Sequence, residues 1–239
     1  MSTPTSPELG PPSRREWVRF GLALGATIAL CAIALGPPTA AAEGLQDDVD
    51  QAAAIIDRFQ AMPEKGIPEK ILRDAKGLAI LTVVKAGFLV SGEGGKGVVI
   101  ARTSGGWSGP SGIGTGGAGF GFQVGAQVTE FVLVLNTPAA VEAFSKGGNV
   151  SIGAELSAAA GPVGRNLGAE VMPVAAVYSY SLTQGLFAGM SLEGTVVVAR
   201  DETNDAYYGR DTTPAEILAG KVKPPAGAAK LETALRSMR

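Results

Sequence analysis

The 239-residue chain contains no histidine, and its one cysteine is Cys31. Without imidazole there is no Ser–His or Cys–His nucleophile pair. Conventional zinc and haem sites need thiolate or imidazole ligands and are excluded on the same ground. General acid–base work would fall to carboxylates, lysine or tyrosine. The composition therefore points to a protein that is not an enzyme and carries no cofactor. A single cysteine also rules out an internal disulfide, so the fold rests on its core, which a chain of this length can bury. No sign of charge dominates: 20 basic residues stand against 22 acidic ones. The first 42 residues hold three of the basic and two of the acidic residues, which leaves 17 against 20 in the rest. Such a balance lacks the basic footprint of a general nucleic-acid binder.

The N-terminus has an export layout. Arg14, Arg15 and Arg19 precede an uncharged apolar run, Phe20 to Leu35. At about 16 residues the run is short of the roughly 20 that cross a bilayer. Ala40-Ala41-Ala42 then supplies small residues. This layout predicts a signal peptide over 1–42, with cleavage after Ala42. The stretch Ser13-Arg14-Arg15-Glu16-Trp17-Val18-Arg19 fits a twin-arginine route as well as it fits Sec. An uncleaved anchor is the alternative. Either export route places residues 43–239 in the periplasm or at the cell envelope.

Beyond residue 42, periodicity predicts one domain. Leu45, Val49, Ala52, Ile56 and Phe59 recur at helical spacing over 45–62, and Pro63 ends that helix. Pro68 opens a second short helix that stops before Gly77. Strand patterns follow at 78–84, 97–103 and 120–135. A helix is predicted over 138–146, an alternating strand from Val150 to Ala158, and further strands over 168–182 and 186–200. Thr213-Pro214 opens a short helix, and 226–238 forms the last one. Few crossover helices separate the strands, so antiparallel pairing is expected. The predicted class is α+β: a single β-rich domain with an antiparallel, curved or barrel-like sheet and flanking helices at both ends.

Two glycine-rich runs invite a nucleotide reading and fail it. Gly112-Ile113-Gly114-Thr115-Gly116-Gly117 matches a dinucleotide fingerprint, yet the residues that follow alternate like a strand where a helix is required. Gly92-Glu93-Gly94-Gly95-Lys96-Gly97 lacks the Ser or Thr after Lys and reads as a hairpin turn. Glycines within strands mark bends and close backbone approach, and many together let a small sheet curl.

A set of short words recurs in fixed order: Ala75-Lys76-Gly77, Lys85-Ala86-Gly87-Phe88, Trp107-Ser108-Gly109-Pro110-Ser111, Gly161-Pro162-Val163-Gly164-Arg165, Tyr178-Ser179-Tyr180-Ser181, Asn204 and Tyr208-Gly209. Taken together they resemble the SYLF domain, over roughly Asp57 to the C-terminus. The resemblance implies a non-catalytic module that binds anionic or phosphorylated lipid. The alternative it carries is a protein-interaction domain, actin-binding in eukaryotic relatives or joined to an envelope protein here. Lys65, Lys70, Arg73, Lys76 and Lys85, with Arg165, are then the candidate head-group contacts, since Lys and Arg each gain roughly 1 kcal/mol near an anionic surface. A solvated mixed-charge face accounts for the same cluster, which is interrupted by Glu64, Glu69 and Asp74. Arg165 serves equally well as a tie to a carboxylate such as Glu193. Asp47, Asp48, Asp50 and Asp57 on the first helix would be repelled by an anionic bilayer, which argues against insertion of that helix.

Overall fold

The computed structural model describes residues 44–62, 66–162, 175–185 and 195–237. They belong to a compact unit spanning Glu43–Arg239. Helix α1 (Leu45–Gln60) and the short α2 (Glu69–Asp74) lead into β1 (Gly77–Thr103). A two-residue strand, β2 (Gly106–Trp107), precedes β3 (Ser111–Leu135). Then come α3 (Pro138–Ser145), β4 (Asn149–Ser151), β5 (Ala158–Ala160), β6 (Val177–Gly185) and β7 (Val196–Ala199). Helices α4 (Asp201–Tyr208) and α5 (Pro214–Leu218), a 3₁₀ turn over Ala226–Ala228 and α6 (Ala229–Ser237) close the chain. The class is α+β, as the sequence predicts.

The centre is a long antiparallel ribbon. β1 and β3 pair from Gly77↔Leu135 to Val99↔Ser111, with one register break between Phe88 and Val90. β6 pairs antiparallel with the second half of β3, and β7 with its first half. β4 adds to β7. β5 runs parallel to β6, so the sheet is mixed at that edge. In the described residues the sheet has seven strands.

The ribbon folds back on itself. Gly97 and Ile80 lie 17 residues apart in one strand, a span of about 55 Å if the strand ran straight. Yet a β-carbon on Gly97 would overlap the Ile80 carbonyl oxygen and lie 2.6 Å from Leu81 Cα. Only glycine permits that approach. The run Gly92–Gly97 is therefore strand interior, not the hairpin turn that its composition suggests; the turn between β1 and β3 lies at 104–110.

Alternation sends side chains to two cores. Leu78, Ile80, Val98, Ile100, Val132 and Val134 pack under α1 and α6. Ala79, Leu81, Val83, Val99, Phe131 and Leu133 form a second cluster with Phe144 of α3 and Leu218 of α5. Burying a side chain of this size gains roughly 1.5–3 kcal/mol. That two-sided burial is why β1 and β3 read as near-continuous apolar runs. Thr137 caps α3 by accepting from Ala140 N at 3.1 Å, and Thr213 with Glu216 forms a capping box on α5.

Two sequence expectations change here. The alternating strand over 150–158 is broken by a turn at 153–155, leaving β4, β5 and an Ile152–Leu156 bridge. Helix α4 has no counterpart in the sequence reading, which ran a strand up to residue 200. The first 42 residues, Lys65, Arg165 and the stretches 168–174 and 186–194 of the two last predicted strands lie outside the described residues.

Candidate functional site

Seven apolar residues of α1 face the core: Leu45, Val49, Ala52, Ala53, Ile55, Ile56 and Phe59. Asp48 lies one turn from Leu45 and Ala52 and is carried inward with them, to 3% exposure. Its Oδ2 accepts from Arg200 Nη1 at 2.5 Å, and Lys96 Nζ stands 3.6 Å from Oδ1. Arg200 is the residue between β7 and α4, and its backbone N–H donates to Gly112 O at 2.9 Å. One carboxylate thus joins α1, β1 and the β7–α4 junction. Burial pushes the Asp48 carboxyl up to about 6, outweighing the attraction of Arg200, and the neighbouring Asp47 charge pushes the same way. Burial and the Arg200 charge push the Lys96 ammonium down.

A second carboxylate lies nearby on the sheet. Glu130 accepts from Arg58 Nε at 2.9 Å and Nη2 at 2.5 Å, and from Gln51 Nε2 at 3.2 Å. Thr82 stands directly across from it on β1, and its buried Oγ1 has no hydrogen-bond partner among the described residues. Between α1 and β1 a cavity of about 250 Å³ is lined by Asp47, Asp48, Gln51, Thr82 and Lys96 with apolar walls. On sequence alone Asp48, with Asp47, Asp50 and Asp57, reads as a charge that an anionic bilayer would repel, and neither Glu130 nor Arg200 is singled out. The inward turn of Asp48 is legible in its spacing from Leu45 and Ala52; its partners Lys96 and Arg200, 48 and 152 residues away, are not.

The predicted basic cluster is partly assembled. Lys70 and Arg73 are exposed on α2, and Lys76 is exposed just ahead of β1. None of the three forms an ion pair among the described residues. Arg102 joins this corner: its backbone N–H donates to Lys76 O at 2.8 Å, Nη2 reaches Leu72 O at 3.4 Å, and its guanidinium lies 3.8 Å over the Trp107 ring. Lys85 lies on β1, nine residues beyond Lys76, where it pairs across the ribbon with Gln127.

The recurring sequence words are structural. Asn204 Oδ1 accepts from Gly112 N at 2.7 Å while Nδ2 donates to Ser111 Oγ at 3.2 Å. Tyr208 Oη donates to Pro110 O at 2.9 Å, so closely that a β-carbon at Gly109 would collide with that hydroxyl. Tyr180 Oη donates to Pro162 O at 3.1 Å. Burial holds the Tyr180 and Tyr208 hydroxyls well above their ordinary range. These bonds pin loops to the sheet. Among the described residues no three of His, Cys, Asp and Glu group as metal ligands.

The family model described as Ysc84, "Las17-binding protein actin regulator", matches residues 116–238. The SH3 domain-containing YSC84-like protein 1 of Xenopus laevis is 46% identical over 202 residues, covering 81% of this chain and 60% of the relative. An SH3 domain-containing protein of Schizosaccharomyces pombe is 49% identical over 176 residues, covering 72% of this chain and 41% of the relative. LAS seventeen-binding protein 3 of Saccharomyces cerevisiae is 44% identical over 191 residues, covering 76% and 42%. The chain thus spans three fifths or less of the length of these relatives.

These similarities correct the expected location. The relatives come from vertebrates and yeasts, eukaryotes that have no periplasm. Among the described residues no helix is long and apolar enough to cross a membrane. The exported, periplasmic or envelope placement drawn from the N-terminal layout is set aside.

Proposed function

The chain belongs to the Ysc84 family, whose SYLF domain its sequence resembles, and from that premise we propose that it is a non-catalytic protein-interaction module of the actin-regulator type. The observation that carries this reading is the family match over 116–238, the half of the chain that holds β3, β6, β7 and the helices that follow them. The names of the family and of the yeast relative point the same way, toward Las17-type and actin-linked partners. The architecture supports it. The ribbon is packed on both faces along part of its length and leaves Val84 and Val128 exposed beyond it, and polar groups hold the loops in place. Co-sedimentation of the full chain with actin filaments tests the proposal. Saturable pelleting is expected, and a chain that stays in the supernatant at excess filament would overturn it.

A second reading, recognition of anionic or phosphorylated lipid, is supported by the corner of Lys70, Arg73 and Lys76. Their exposed cations lack ion-pair partners among the described residues and stand beside Arg102. Glu69 and Asp74 on the same helix reduce the net charge of that corner. Contact at a few cations gives weak, salt-sensitive binding. Flotation on phosphatidylserine vesicles in low salt is the expected result; indifference to vesicle charge would remove this reading.

A further inference from the structure

We propose that the cavity between α1 and β1 receives a basic side chain, lysine or arginine, from a partner polypeptide. The proposal rests on the protein-interaction reading and names the chemistry of the contact. Its volume of about 250 Å³ falls below the roughly 300 Å³ at which drug-sized pockets begin, so it suits one side chain better than a cofactor. Its walls include Ile55 and Ile80, which match an aliphatic stem. Its polar groups are the Asp47 and Asp48 carboxylates, the Gln51 amide, the Thr82 hydroxyl, whose buried Oγ1 has no partner among the described residues, and the Lys96 ammonium.

The carboxylate at its base is held at a cost. Arg200 satisfies Oδ2, whereas Lys96 stands 3.6 Å from Oδ1, beyond good hydrogen-bond length. Burial still penalises the ionised Asp48. A cation that reaches Oδ1 at closer range relieves that penalty. The Lys96 side chain is 40% exposed, and a ligand cation would compete with it for Oδ1. Asp47 is exposed where it lines the cavity, and Asp57 is exposed further along α1; both favour a positively charged visitor. Further along the same face of β1, two residues beyond Thr82, Val84 is 48% exposed beside its cross-strand partner Val128 at 40%. That apolar step fits an apolar neighbour of the basic residue.

The test is a titration of the full chain, followed by amide NMR shifts, with the blocked tripeptide Val-Lys-Val. Norleucine in place of lysine, and n-butylamine alone, serve as controls. Saturable shifts confined to 47–55, 80–84 and 96–97 are expected, at least tenfold weaker with the norleucine peptide and with the free amine. Lys96→Met should tighten lysine-peptide binding severalfold by removing the competing ammonium. Asp47→Asn, at an exposed position that leaves the core intact, should weaken it severalfold. Shifts that are absent, that centre on Lys70–Lys76, or that are equal for lysine and norleucine overturn the assignment. Equal binding of butylamine overturns the partner-side-chain assignment, and so does weaker binding by Lys96→Met. Filament co-sedimentation is independent of this titration, so failure here with pelleting intact rejects the cavity and leaves the interaction module standing.

Discussion

The domain carries charge in two contrasting ways. Around Asp48 and Glu130, carboxylates are buried and each meets an arginine from a distant part of the chain. At the α2 corner, Lys70, Arg73 and Lys76 project into solvent. The first arrangement is expensive to break because removing one partner leaves a charge without solvent or counter-ion. The second costs the fold almost nothing and is free to meet a ligand. Buried and exposed charge are thus expected to contribute differently to stability, and substitutions should separate them.

Arg200→Ala should have the largest effect. It leaves Asp48 buried with only Lys96 at 3.6 Å, and a loss of about 3–5 kcal/mol is expected in denaturant unfolding. Gly97→Ala strikes the same region through packing. Its β-carbon meets the backbone of Ile80 and Leu81, so a cost of about 3 kcal/mol is expected by the same measurement. A loss below about 0.5 kcal/mol in either variant would show that the region yields more than its geometry implies.

Asp48→Asn sharpens the contrast through pH. The folded carboxyl titrates near 6 against an ordinary 3.8. The folded chain therefore holds a proton that the unfolded chain has already released. The stability this confers is full below pH 3.8 and is lost as pH rises through about 6. A gap of roughly two pH units corresponds to about 3 kcal/mol. Unfolding of parent and variant at pH 4 and pH 7 should show the parent losing ground to Asp48→Asn by up to that amount. A parent that gains on the variant as pH rises would mean that Arg200 and Lys96 more than offset the burial.

At the other pole, the triple replacement of Lys70, Arg73 and Lys76 by Gln should change stability by less than about 0.5 kcal/mol per site, as exposed positions do. The same variant should no longer float on anionic vesicles. A large drop in melting temperature would show that this corner is structural after all.

Much of the fold was legible in local pattern. The α1 stripe, the Thr137 and Thr213 caps and the alternation of β1 and β3 all depend on residues within a few positions of one another. What was not legible depends on the fold-back. Gly92–Gly97 has the composition of a turn, and only the ladder to β3 and the contact of Gly97 with Ile80 and Leu81 show that it belongs to a strand. Helix α4 was missed because Asp201–Tyr208 has a weak apolar stripe; Asn204 is its buried residue and bonds β3. The α2 cations were visible as a run of charge. The Asp48–Arg200 pair joins residues 152 positions apart, a distance that no local pattern encodes. Asp48 itself was read only as a charge that a bilayer would repel, although its spacing along α1 puts it inward.

The central claim is that this domain binds protein in its own right, with lipid contact at most an addition at one corner. The direct measurement is the bound fraction of the full chain on actin filaments without lipid, beside its bound fraction on phosphatidylserine vesicles in the same buffer at physiological ionic strength. The account predicts saturable binding to filaments and weak binding to vesicles that disappears with added salt. Tight vesicle binding with no filament binding would contradict it.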